Sequence, residues 1–113
     1  MAEKAVYSLT EEGEEEFRRL MFGISSEPVH MFLDFNAVIV NLDSLSAEEQ
    51  RVCLSRIGEN VKTLKAYLEE NIEKKEGLPE IPDTGKAVLR QQYILIQAIE
   101  TWMESMWGKI AED

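Results

Sequence analysis

The sequence predicts an all-α fold, a small helical bundle built around two long antiparallel helices. A capping box at Ser46 and Glu49 opens the first of these helices, because each side chain can accept a hydrogen bond from the other residue's backbone N–H. The apolar residues that follow lie three or four positions apart and form one stripe: Leu54, Ile57, Val61, Leu64 and Leu68. Lys74 and Lys75 favour the C-terminal end, where Gly77 is expected to adopt a left-handed conformation.

The second long helix is predicted to begin at Asp83 or Thr84 and to end at about Ile110. Its first apolar stripe also follows steps of three and four: Leu89, Tyr93, Ile96, Ile99, Met103, Met106 and Ile110. A second stripe lies beside the first: Ile94, Leu95, Ala98 and Trp102. A helix with two apolar stripes needs cover on two sides. The short connector with Pro79 and Pro82 folds the two long helices back on each other, which covers one side only.

The chain begins with a predicted β-strand remnant that runs directly into a helix. Residues 6–9 alternate as a strand does, yet so short a strand needs a partner to form a sheet. Thr10 is a favourable N-cap, and the acidic residues after it lie at the positive end of the helix dipole. Phe17, Leu20 and Met21 then predict a short amphipathic helix that ends near Gly23.

A further helix is predicted to begin at Pro28, since proline at the first helical position loses no hydrogen bond. Residues 31–40 are rich in aromatic and β-branched side chains without a period of two, which favours a helix buried on most sides. His30 and Asp34 would then share one helix face, where they could bind a metal ion or share a proton. A surface histidine beside a carboxylate is the favoured interpretation, because two ligands make a poor metal site.

The composition argues against nucleic acid binding, a disulfide and a zinc site in this segment. Its 22 acidic and 12 basic residues give a formal net charge of −10, which repels phosphate backbones. A lone cysteine, Cys53, excludes an intramolecular disulfide, and a single histidine leaves no zinc ligand set. The sequence has no apolar leader and no run long enough to span a membrane, so a cytoplasmic protein with no membrane partner is expected.

No pattern in the sequence predicts catalysis, a cofactor or a metal centre. Cys53 has no histidine or other base near it in the sequence, so a buried or half-buried thiol is favoured over a nucleophile. The glutamates of residues 11–16 lie in the first turns of a helix, where a solvated acidic face is favoured over acid/base catalysis. Gly-rich phosphate loops, serine elbows and metal signatures do not occur. The sequence therefore predicts a protein that is not an enzyme.

Four stretches resemble the PadR-like family of winged-helix transcriptional regulators. YSLTEEG at residues 7–13 resembles the end of the family's wing and the helix that follows it. SAEE at residues 46–49, the proline-bearing connector and ETWME at residues 100–104 resemble the family's C-terminal domain. The resemblance divides the chain into the wing end and linking helix, residues 1–23, and a helical dimerisation domain, residues 24–113.

The resemblance implies a homodimer that forms through the last helices and binds DNA only through a winged-helix region absent from these residues. The expected dimer interface lies on the last helix: Tyr93, Ile96, Ile99, Trp102, Met103 and Met106. Trp102 is also the candidate contact for a small flat apolar effector, as tryptophans are in some multidrug-sensing members, although a packing role is favoured. The alternative function is a self-contained helical module that binds a protein partner and has no DNA or effector role.

Overall fold

The computed structural model describes the backbone of residues 10–112 and the side chains of residues 10–109, and most of this part is helical. Residues 10–112 contain no strand, and the predicted strand remnant at residues 6–9 lies outside the described residues. The chain divides into two compact units, one up to Leu33 and one from Asp34. Among the described residues, no helix has the length and apolar character that crossing a membrane requires.

The first unit contains helix α1, Glu11–Ser25. Thr10 caps it as predicted, because the backbone N–H of Gly13 donates to Thr10 Oγ1 over 3.0 Å. The helix continues past the predicted end at Gly23, and the N–H of Ser26 still bonds to a carbonyl of the last turn. The apolar side chains of α1 are exposed, and none of its residues is buried.

The prediction of a helix that begins at Pro28 is wrong. Residues 28–33 adopt no regular secondary structure, and helix α2 comprises only Asn36–Val40. Three apolar side chains of the irregular segment are exposed: Val29, Met31 and Phe32. Aromatic and β-branched residues have low helix propensity, and without packing nothing compensates for it here.

The second unit opens with α2 and a single 3-10 turn at Leu42–Ser44. Leu42 is buried in the core of this unit. The half-buried apolar side chains around it pack against the same core: Phe35, Val38, Ile39 and Leu45. This short segment therefore covers part of the hairpin that the two long helices form.

Helix α3, Ala47–Glu76, begins with the predicted capping box. The N–H of Ser46 donates to Glu49 Oε1 over 2.9 Å, and the N–H of Glu49 donates to Ser46 Oγ over 3.1 Å. Four members of the predicted stripe are buried: Leu54, Ile57, Val61 and Leu68. Leu64, the fifth, is 45% exposed and lies at the edge of the buried face of α3.

The end of α3 differs from the prediction, because Gly77 has a φ of −93° and is not left-handed. The N–H of Leu78 bonds to the carbonyl of Lys75 over 3.2 Å, and this turn ends the helix without a positive φ. The Nζ of Lys86 donates to the carbonyl of Glu76 over 2.9 Å. A side chain from the next helix therefore satisfies a carbonyl that the helix end leaves free.

Helix α4, Asp83–Glu112, packs against α3, and the two long helices are the centre of the second unit. Residues late in α3 lie against residues early in α4, so the hairpin is antiparallel as predicted. Its core consists of buried apolar side chains from the 3-10 turn and from both helices: Leu42, Leu54, Ile57, Val61, Leu68, Ile96 and Met103.

Candidate functional site

The side of α4 that faces α3 holds most of the residues predicted for a dimer interface. Ile96 and Met103 are buried in the core of the protomer itself. The other four predicted interface residues are half-buried and pack against that core: Tyr93, Ile99, Trp102 and Met106. The large exposed apolar side chains of α4 lie on the other side of the helix.

That other side, which we call the outer face of α4, is uncharged and open. Its side chains are all exposed and follow the helical repeat: Ala87, Val88, Gln91, Ile94, Leu95, Ala98, Thr101 and Ser105. The largest apolar members, Val88, Ile94 and Leu95, are 52%, 57% and 44% exposed. At 1.5 Å per residue the outer face extends about 27 Å along the helix. Exposed apolar side chains grouped on one helix face make this surface a candidate for interaction with another molecule.

Three polar pairs join α3 to α4 along one side of the hairpin. The distances between their polar atoms are 2.8 Å for Lys65–Glu100, 2.8 Å for Tyr93–Glu69 and 3.5 Å for Arg90–Glu76. The Lys65–Glu100 pair is half-buried, and the Arg90–Glu76 pair is exposed. Ion pairs near the surface contribute little stability one by one. Together they specify which residues of the two helices lie opposite each other.

Two of these contacts raise a pKa. The hydrogen bond to Glu100 holds the pKa of Lys65 above its usual 10.5, although burial opposes this shift. The hydroxyl of Tyr93 donates to the Glu69 carboxylate, and this raises the pKa of Tyr93 above its usual 10.0. Both values are raised in the folded state. The stability that each group contributes is therefore present below its unfolded pKa and is lost as the pH rises through its folded pKa.

We expect the melting temperature of the protein to fall as the pH rises above about 10, and Tyr93→Phe to make this fall shallower. Circular dichroism melts at a series of alkaline pH values measure the effect, with Tyr67→Phe as the control at an exposed tyrosine. Glu69→Gln is expected to lower the pKa of Tyr93, which the absorbance of tyrosinate reports. Equal alkaline losses in wild type and Tyr93→Phe would contradict the assignment.

Trp102, the candidate effector contact, stacks on Phe35. The ring centroids are 6.0 Å apart, and the ring planes are inclined by 18°. Phe35 directly precedes α2, so the indole joins that segment to α4. One face of the indole is thus covered by the protein's own ring, and a flat effector would have to use the other face or displace Phe35.

The remaining candidates are not assembled into a site. His30 lies in the irregular segment 28–33 and Asp34 lies in the turn before α2, so no helical spacing aligns them. Within the described residues, no group of three or more histidine, cysteine or acidic side chains is arranged to hold a metal ion. Cys53 is half-buried on α3, and the glutamates between residues 11 and 16 are exposed on α1.

Comparison of the chain with protein-family models, curated proteins and solved structures finds no match. The functional inference therefore depends on the geometry of the chain itself. Both apolar stripes of the last helix can be predicted from the spacing of their residues, and the structure shows that the first stripe faces α3. Both stripes are uncharged, so charge does not distinguish them in the sequence.

Proposed function

We propose that this chain is the dimerisation domain of a PadR-like transcriptional regulator, and that two copies pair through the outer face of α4. The observation that carries the proposal is the face itself, which is uncharged, open and apolar at its centre. It belongs to a chain with a formal net charge of −10. Two such chains repel each other electrostatically. The free-energy cost of association from repulsion and from charge desolvation is smallest where the contacting surfaces carry no charge.

The energetic gain from this pairing can be judged from the exposed apolar side chains. Burying Val88, Ile94 and Leu95 from about half exposure contributes roughly 1 kcal/mol each, or roughly 6 kcal/mol over two copies. Association has its own entropic cost, which this gain has to exceed. Ala87, Ala98 and the other small residues of the outer face let two helices approach closely, and the packing between them supplies the remainder.

The proposed work of the domain is mechanical. Pairing of two copies sets the separation of two DNA-reading heads, which lie in a winged-helix region outside these residues. The acidic chain itself is a poor ligand for phosphate backbones. A small apolar effector near Trp102 would act through its different affinity for two arrangements of the pair.

We expect the chain to sediment as a homodimer at micromolar concentration, and Leu95→Asp to raise its dissociation constant at least about 100-fold. Each dimer would then bury two unpaired carboxylates in the interface. The matched control is Val52→Asp, because Val52 is 42% exposed on α3 and Leu95 is 44% exposed on α4. Ile99→Asp is less informative, since Ile99 packs against the core and its loss would also weaken the fold.

The outcomes separate the two functions. A folded monomeric wild type would contradict the proposal and favour the helical module that binds a different protein. A Val52→Asp variant that dissociates while Leu95→Asp stays dimeric would place the interface on α3 instead. Circular dichroism of each variant establishes that the fold is intact.

The mechanical role has a direct test. A DNA-binding head that cannot dimerise on its own, when joined to the N-terminus of this chain, is expected to gain affinity for a two-fold symmetric operator. The same fusion with Leu95→Asp should bind as weakly as the head alone. A wild-type fusion that binds no better than the isolated head would contradict the role.

A further inference from the structure

We infer that the second copy lies antiparallel on the outer face of α4, with the two-fold axis at the level of Ile96. This inference rests on the proposed dimer and adds its orientation and register. It follows from the distribution of side chains around α4. One row of residues can form a contact line, and of the two rows that flank it one is apolar and the other is polar.

The contact line follows alternating steps of four and three residues, the repeat that lets one helix pack along another. Its members are exposed and uncharged: Ala87, Gln91, Ile94, Ala98, Thr101 and Ser105. In an antiparallel pair centred on residue 96, each member lies opposite its mirror position. Ala87 of one copy then meets Ser105 of the other, and Ile94 meets Ala98.

The two flanking rows differ in polarity. One row is apolar and consists of Val88, Leu95 and Trp102. The other row is polar and consists of Arg90, Gln97 and Glu104. In a parallel pair of helices, the polar row of one copy would lie against the apolar row of the other, so charges would be desolvated on apolar surface. In an antiparallel pair, the apolar row of one copy contacts the apolar row of the other, and the polar row contacts the polar row.

The charges within the polar row also favour this orientation. Antiparallel pairing brings Arg90 of one copy to Glu104 of the other, twice per dimer, with Gln97 beside Gln97 between them. Glu104 makes no ion pair within residues 10–109. Arg90 lies 3.5 Å from Glu76, and its side chain remains 57% exposed, so it can contact a second carboxylate.

The apolar row gains from the same arrangement. Leu95 would meet Leu95 at the two-fold axis, and Val88 would meet the indole of Trp102. Val88 and Leu95 are about half exposed in one copy, so contact with an apolar row removes them from water. One register thus satisfies the contact line, the charges and the apolar row together.

Disulfide cross-linking tests the orientation in the full chain, in a Cys53→Ser background. Ala87→Cys and Ser105→Cys are introduced singly and together, and the chains are oxidised mildly. In the antiparallel dimer the double variant is expected to cross-link two copies, and the single variants are not. The two Ala87 positions would then be about 27 Å apart along the axis, far beyond the roughly 7 Å between Cα atoms that a disulfide allows.

Each other outcome is decisive. Single variants that cross-link by themselves would show a parallel pair and overturn the inference. A chain that sediments as a dimer but cross-links in none of these variants would also overturn it, while the proposed dimerisation function would stand. A chain that sediments as a monomer would contradict both the antiparallel orientation and the proposed dimerisation function.

A charge exchange gives an independent readout. Arg90→Glu and Glu104→Arg are each expected to raise the dimer dissociation constant about tenfold, since each places like charges together twice per dimer. The double variant is expected to return to within about threefold of wild type. A merely structural role for Arg90 would give no such rescue, and its absence would overturn the register.

Discussion

Leu54→Ala is expected to destabilise the protein by about 3 to 5 kcal/mol, the largest effect of any single apolar substitution in the hairpin. The side chain of Leu54 is 0% exposed, and no other large side chain of the described residues is so completely enclosed. Truncation would leave a cavity beside the first third of α3, and helices fixed by contacts on both sides of it cannot close the space fully.

Urea unfolding at one fixed protein concentration measures this loss, because the stability of the proposed dimer would depend on concentration. Leu64→Ala is the matched control on the same helix. Leu64 is 45% exposed, so its truncation should cost about 1 kcal/mol or less. Equal losses for the two variants would contradict the placement of the core on the Leu54 side of α3.

Trp102→Ala is expected to destabilise the protein by about 2 to 4 kcal/mol, somewhat less than the loss of a fully buried tryptophan. The indole is half-buried and stacks on Phe35, so the substitution removes both core contact and the aromatic pair. Phe35→Ala should cost less. A double-mutant cycle between the two positions is expected to give a coupling of about 0.5 to 1.5 kcal/mol, typical of stacked rings.

The same variant tests an effector role. Near-native stability of Trp102→Ala would contradict the packing role and would show that the indole faces an open pocket. A flat apolar probe that quenches Trp102 fluorescence in a Trp107→Phe background would then support effector contact. Quenching in wild type together with a large loss of stability in Trp102→Ala would show that the indole both packs and binds.

The parts of the fold that sequence could predict are those fixed by local chemistry. Ser46 and Glu49 are three residues apart, so their reciprocal capping needs no tertiary information. The buried stripe of α3 follows in the same way from its spacing. Residues 28–33 were mispredicted because they carry no such signal, and exposure of their apolar side chains depends on what surrounds them.

The candidate site was only partly predictable for a related reason. Ile96 and Leu95 are neighbours of similar hydrophobicity, and nothing in their identity tells which one faces α3. That choice depends on how α4 rotates about its axis when it packs. Likewise, Lys65 and Glu100 are 35 residues apart in the sequence. They form a pair because the length of the connector sets which residues of the two helices lie opposite each other. The φ of Gly77 was missed because Leu78 closes the turn instead.

The three polar pairs of the hairpin also bear on the order in which the protein assembles. Their members are 14, 24 and 35 residues apart in the sequence, counted outward from the connector. The entropic cost of closing a chain segment rises only with the logarithm of its length, by about 0.8 kcal/mol over this range. Each pair, once formed, shortens the segment that the next has to close.

Contacts so close in sequence favour rapid folding within a single chain. In the proposed dimer, the outer face of α4 would then be fully formed in each chain before two chains associate. We therefore expect the step that depends on concentration to come last, so that dilution delays pairing and leaves the refolding rate of the hairpin unchanged.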